Sequence, residues 1–112
     1  MKFGTGIHNT NGILDYIHSD VWGPSTTVSL GGKQYYVTFI DDFSRRVWVY
    51  TLKAKDEVLG VFLKWKKMVE TQTGRRIKCL RTDNGGEYRS DAFVKFCEDE
   101  GIVRHFMVRN TP

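Results

Sequence analysis

Two aspartates carry the chemistry of this sequence. Asp83 stands in Arg81-Thr82-Asp83-Asn84-Gly85-Gly86-Glu87-Tyr88, and Asp20 in Ile17-His18-Ser19-Asp20-Val21-Trp22-Gly23-Pro24. Each closes an apolar run, so each is expected at the carboxyl end of a strand, the rim where open α/β sheets bind their ligands. Taken alone, Asp-Asn-Gly-Gly reads first as a turn, since all of these are turn residues, with a glycine pair free to take positive φ. The two acids together say more. If their strands lie side by side and parallel, they meet at one rim, where two carboxylates repel unless a cation sits between them. Mg²⁺ takes one or two protein carboxylates and completes its shell with water and phosphate oxygens. A metal on such a pair can activate an attacking oxygen and stabilise a leaving one. The chemistry indicated is metal-dependent phosphoryl transfer.

The elements that must position these acids follow from pattern. Residues 13–21 read as a strand apolar on both faces, hence central, ended by Trp22-Gly23-Pro24 because Pro cannot continue a central ladder. Residues 25–33 are polar and Gly-rich and read as a loop. Residues 34–40 and 47–52 are rich in aromatic and β-branched types and, joined by Asp41-Asp42-Phe43-Ser44-Arg45-Arg46, form a β-hairpin in which Asp42 and Arg45 could pair. Residues 56–73 form the clearest helix, with Val58, Phe62, Trp65 and Val69 at helical spacing, acids at its amino end and Gly74 just past the other. A strand over 77–82 leads to Asp83. Ser90 caps a second helix over 91–100, Gly101 ends it, and 102–106 is a last strand. The expected fold is α/β: a mixed five-stranded sheet, an antiparallel meander followed by parallel strands reached through right-handed helical crossovers.

At 112 residues this is one domain, read as an extended tail over 1–12 and a core over 13–112. Apolar residues make up 40% and charged residues 27%, ordinary values for a globular chain. No stretch approaches a membrane span, and the first residues carry no apolar signal segment, so an intracellular protein, nuclear or cytoplasmic, is expected rather than a secreted one. Cys79 and Cys97 fit no zinc spacing and lie in apolar elements. They are expected as buried free thiols of a reducing compartment, with a disulfide as the alternative. The net charge of +4 is compatible with nucleic acid but does not demand it. Lys64, Lys66, Lys67, Arg75, Arg76 and Lys78 are the candidate contacts to DNA phosphates. For the three lysines, off the apolar stripe, a solvated helix face is the alternative.

Three motifs in order carry a resemblance: Leu14-Asp15-Tyr16-Ile17-His18-Ser19-Asp20-Val21-Trp22-Gly23-Pro24, Tyr36-Val37-Thr38-Phe39-Ile40-Asp41-Asp42-Phe43-Ser44-Arg45, and Leu80-Arg81-Thr82-Asp83-Asn84-Gly85-Gly86-Glu87-Tyr88. Over nearly its whole length the chain resembles the integrase catalytic core of copia-type LTR retrotransposon polyproteins. The resemblance implies a ribonuclease-H-like fold, DNA strand transfer, and Mg²⁺ or Mn²⁺ held by two Asp and one Glu. Asp20 and Asp83 match the two Asp. The family's Glu lies on a helix after a Thr-Pro-led loop, and here Thr111-Pro112 matches only the start of that loop. No His/Cys cluster like the family's amino-terminal zinc module precedes residue 13. The chain is therefore expected to be a truncated core, inactive in strand transfer alone, with a weak and incomplete metal site. The alternative is a non-catalytic module that binds nucleic acid or self-associates through an uncovered sheet face or edge.

Other groups are weighed against the pair. Glu87 is the nearest further acid and is expected to anchor the turn. Asp41 and Asp42 are expected at the opposite rim, since the first two strands are antiparallel. His18 and His105 are expected as packed histidines, and His8 as a solvated residue of the tail.

Overall fold

The computed structural model describes residues 12–27, 32–83 and 85–107. The predicted tail with His8, residues 28–31, Asn84 and the Thr111-Pro112 end lie outside the described residues. Five strands form one sheet: β1 (Ile17–Thr27), β2 (Gly32–Asp41), β3 (Val47–Leu52), β4 (Cys79–Asp83) and β5 (Val103–Met107), in the order β3-β2-β1-β4-β5. The β1–β2 and β2–β3 pairs are antiparallel, and β1–β4 and β4–β5 are parallel. Helix α1 (Val58–Thr73), entered through a 3₁₀ turn at Lys55–Glu57, carries the chain from β3 to β4, and α2 (Asp91–Glu100) carries it from β4 to β5. This is the predicted meander followed by parallel crossovers.

Side chains alternate across a strand, and the two faces of this sheet differ. Both helices pack on the face of Ile17, Val37, Phe39 and Leu80. Phe62, Trp65 and Val69 of α1 are buried there, with Trp65 stacked on Phe39 at 4.3 Å. Phe93 of α2 stacks on Phe62 at 5.3 Å. On the other face Val47, Val49 and Val103 are each more than half exposed. The helix ends follow their residues. Gly74 and Gly101 close α1 and α2 at φ 72°, where a side chain would be strained. Ser90 accepts a hydrogen bond from the Phe93 N–H at 3.2 Å as the cap of α2.

Three expectations are corrected. The first strand starts at Ile17, four residues later than predicted. Leu14 has φ 70° and its N–H donates to the Asp41 carboxylate at 2.8 Å, so Leu14 enters the core from a turn rather than from a strand. That strand does not stop at Pro24. It runs to Thr27 through a register shift between Trp22 and Ser25, the kind of irregularity where a sheet tolerates Pro. Residues 25–27 and 32–33 of the predicted loop are thus strand, paired with one another. Finally, Lys66 does not face solvent. It is buried, 6% exposed, with its ammonium on Glu70 at 2.9 Å and Glu100 at 3.0 Å. Near the seam of α1 and α2, an apolar-stripe argument that counts only one packing partner misplaces it.

Candidate metal and nucleic-acid site

Parallel pairing decides where the acids sit. Ile17 pairs with Leu80 and His18 with Arg81. Asp20 is three residues past Ile17 and Asp83 three past Leu80, so the two lie level at the carboxyl ends of neighbouring strands. They line one cavity of about 190 Å³ together with His18, Thr38, Arg81 and Met107. Alternation places Asp20, His18, Arg81 and Asp83 on the sheet face away from the helices. Asp20 is exposed and Asp83 half-buried.

The turn after Asp83 holds its carboxylate. The Gly85 N–H donates to Asp83 Oδ1 at 2.8 Å, and Gly86–Tyr88 coil into a 3₁₀ turn. Gly85 has φ −60°, an ordinary value, so the expected need for positive φ is not what selects glycine there. Room does. A Cβ on Gly85 would lie 2.6 Å from Glu87 Oε2 and 3.0 Å from Asp83 Oδ1. Glu87 folds back over this turn, in keeping with an anchoring role. Tyr88, fully buried, carries its hydroxyl to the Ser19 hydroxyl at 2.8 Å. Burial, opposed by the Ser19 hydrogen bond, pushes this phenol far above its usual range, and the carboxylates of Asp20, Asp83 and Glu87 push the same way. One hydrogen bond thus joins the residue before Asp20 to the turn after Asp83. Arg104 fixes that turn from behind, donating to the Tyr88 carbonyl at 3.1 Å and the Thr82 hydroxyl at 3.3 Å.

Asp41 is paired with Ile17, the far end of β1 from Asp20, and its buried carboxylate accepts from the Leu14 and Ser44 N–H groups at 2.8 Å each. Asp42 reaches back to His18 Nε2 at 3.0 Å and so braces a residue of the cavity wall. His105 packs through Nδ1 on the Tyr16 hydroxyl at 3.1 Å. Cys79 and Cys97 are buried free thiols, and burial raises Cys79 to about 11.

Among the described residues the oxygen donors of the cavity include two carboxylates and the Thr38 hydroxyl, hard ligands that suit Mg²⁺ or Mn²⁺, while the imidazole of His18 is engaged through Nε2 by Asp42. The cavity supplies two acidic ligands. Among the described residues no group of three or more His, Cys, Asp or Glu side chains could hold a metal ion.

None of the six basic residues predicted to contact phosphate lines the cavity. Arg75 pairs with Asp15 at 3.2 Å, Arg76 with Glu100 at 3.3 Å and Lys78 with Asp15 at 3.5 Å, all just before β4 and so at its other end from Asp83. Lys66 is locked in its buried ion pairs. Lys64 and Lys67 are exposed on α1, which covers the opposite face of the sheet. Among the described residues the arginine or lysine that lines the cavity is Arg81. The signal for it was present: two residues before Asp83 on one strand means the same face.

Comparison with known proteins places the chain in a family and agrees with the fold. The family model described as "Integrase core domain" matches residues 14–112. The chain is 49% identical over all 112 residues to the "Retrovirus-related Pol polyprotein from transposon TNT 1-94" of Nicotiana tabacum, and 40% identical over 112 residues to that from transposon RE1 of Arabidopsis thaliana. It spans only 8% and 7% of those two polyproteins. Among solved structures, the HTLV-2 integrase catalytic core domain in complex with magnesium aligns with a TM-score of 0.66 at 23% identity, covering 86% of this chain and 62% of that one. The catalytic core domain of BIV integrase aligns at 0.62 and 16% identity, covering 88% and 58%. These likenesses show a ribonuclease-H-like integrase core fold. By the match over residues 14–112, this chain belongs to the integrase core domain family, of the kind carried by copia-type retrotransposon Pol polyproteins.

Proposed function

We propose that residues 13–112 act as the metal-binding, DNA-processing core of a retrotransposon integrase, with Asp20 and Asp83 as the catalytic carboxylates and 1–12 as a tail. The observation that carries this is the level placement of two acids from strands 63 positions apart (83 − 20) in one cavity. Both would hold one Mg²⁺ or Mn²⁺, which supplies activation of an attacking oxygen and charge neutralisation at a phosphodiester. Arg81 stands where it can bind the non-bridging oxygens of that phosphodiester. His18, held by Asp42, keeps the neighbouring wall in place. The substrate is DNA without sequence preference, and the setting is intracellular, where such DNA is found. With two acidic ligands the site binds the cation weakly, and strand transfer by the 112 residues alone is negligible. The test is a Mn²⁺ titration followed by water-proton relaxation: binding in the millimolar range, abolished by Asp20→Asn and by Asp83→Asn, supports the reading. Binding that survives both substitutions, or Mg²⁺-dependent joining of DNA ends by the chain alone, overturns it.

A second reading concerns self-association. Val47 and Val49 on edge strand β3 and Val103 on edge strand β5 are exposed on the helix-free face, and Phe43 is exposed at the hairpin tip. Exposed apolar side chains on open edge strands favour edge-to-edge pairing between copies. Light scattering at rising concentration tests it. A monomer throughout removes this reading.

A further inference from the structure

Beside the acid pair lies a feature that neither metal binding nor the core uses. Trp22 is two residues past Asp20, on the same face of β1, about 7 Å further along the strand. It lies directly across from Tyr36, and the two rings stack at 4.4 Å with 19° between their planes. Trp22 is nevertheless 49% exposed. Tyr36 covers one side of the indole, and the exposure belongs to the rest. The backbone bends immediately afterwards: Gly23 has φ 121°, which only glycine takes without strain, and the register shifts before Ser25. Bulges of this kind re-aim a side chain next to a site.

A lone exposed aromatic on a protein surface is ordinary. A stacked, pre-ordered pair on the face and strand of a candidate catalytic acid, beside a cavity that also holds Arg81, is a different arrangement. Aromatic faces held rigid beside a phosphate-binding cation are what nucleic-acid bases stack on. Building on the proposed function, we infer that Trp22, backed by Tyr36, is a stacking platform for the unpaired base next to the phosphodiester that Asp20 and Asp83 address. Arg81 and the acid pair meet the backbone, and Trp22 meets the base. Every base has a π-face, so the platform binds without reading sequence. Its work is to lift the end of a strand out of the duplex stack and set its phosphate in the cavity.

The test uses a fluorescein-labelled duplex with a short single-stranded 3′ end, measured by anisotropy in Mg²⁺. Trp22→Ala weakens binding about tenfold, the effect of losing one stacked base, while Trp22→Phe retains most of it. An abasic site moved one nucleotide at a time along the 3′ end weakens the native chain about tenfold at one position and leaves Trp22→Ala unaffected there. Equal binding by Trp22→Ala and the native chain overturns the platform, as does an abasic penalty independent of residue 22. Asp20→Asn is run in parallel. If the Trp22 and abasic effects couple while Asp20→Asn leaves Mg²⁺ dependence unchanged, the platform stands and the metal assignment falls. If Mg²⁺ dependence is lost in Asp20→Asn and Trp22→Ala has no effect, the reverse holds.

Discussion

Removing the hydroxyl of Tyr88 probes how the two halves of the site are held together. The Ser19–Tyr88 bond is 2.8 Å long, spans 69 residues of sequence, and lies between a fully buried tyrosine and a serine only 6% exposed. Tyr88→Phe keeps the ring packed on Phe93, at 5.6 Å, and leaves the Ser19 hydroxyl buried without this partner. Ser19→Ala does the converse to the phenol. An orphaned buried hydroxyl costs about 1–3 kcal/mol, whereas removing both partners together is close to neutral. Each single variant is therefore expected to lose about 1–2 kcal/mol in urea unfolding, and the double variant to recover most of that loss, a coupling of at least about 1 kcal/mol. The same bond sets the spacing between the residue before Asp20 and the turn after Asp83. The double variant should regain stability without regaining full Mn²⁺ affinity, a separation that a purely structural bond would not produce. Single losses that add in the double variant, or a double variant with native metal affinity, would refute this reasoning.

Other expectations follow from the same geometry. Gly85→Ala forces a Cβ within 3.0 Å of Asp83 Oδ1; Glu87 can swing aside, so urea stability should change by no more than about 1 kcal/mol while Mn²⁺ binding weakens several-fold. Lys66→Ala takes the shared ammonium from Glu70 and Glu100, leaving them only the Ile77 N–H and Arg76, and should destabilise the fold beyond the roughly 0.5 kcal/mol expected of the exposed Lys64→Ala and Lys67→Ala. The Lys66 hydrogen bond, more than its charge at a distance, lowers the Glu100 carboxyl below its usual range. A lowered carboxyl stabilises the fold above its unfolded value and loses that contribution as pH falls through the folded one, so the acid side of the thermal-melting profile should flatten in Lys66→Ala. Burial raises Cys79 to about 11 from 9.0; its contribution is intact below pH 9 and lost between pH 9 and 11, and its alkylation at pH 8 should be slow in the native chain and fast in urea.

The fold was legible wherever one residue pattern served one partner. β3 is found at the predicted 47–52, and α1 with its Gly74 end and α2 with its Ser90 cap needed only local chemistry. Sequence reasoning slipped where a distant group settled the matter. Leu14 looked like strand because it is apolar, but the buried Asp41 carboxylate, 27 residues away, takes its N–H and turns the chain. Lys66 looked solvated because only α1 was considered, and Glu100 at the end of α2 is what buries it. Pro24 looked like a stop because the strand was imagined regular, and a register shift accommodates it. The Ser19–Tyr88 bond joins two motifs that sequence had placed separately, and neither motif alone reveals it.

The division of labour between the sheet faces explains why the height of the acids was readable and the side taken by the basic residues was not. A parallel neighbour fixes height: once β1 and β4 pair at Ile17 and Leu80, residues three further along each must stand level, whatever their types. Placement of Asp20 and Asp83 therefore needs only topology, which the order of elements supplies. Phosphate contacts need a face as well as a height. The helices claim one face of this sheet for the core, so any basic residue on α1 stands across the sheet from the acids however strongly charged it is. Only residues that alternate in step with Asp20 and Asp83 share their side, and among the lining residues those with a basic or aromatic group are His18 and Arg81, with Trp22 next along β1. In a core of this design, the side chains that share a cavity with the acids are found by counting in twos from the acidic residues, not by counting positive charge.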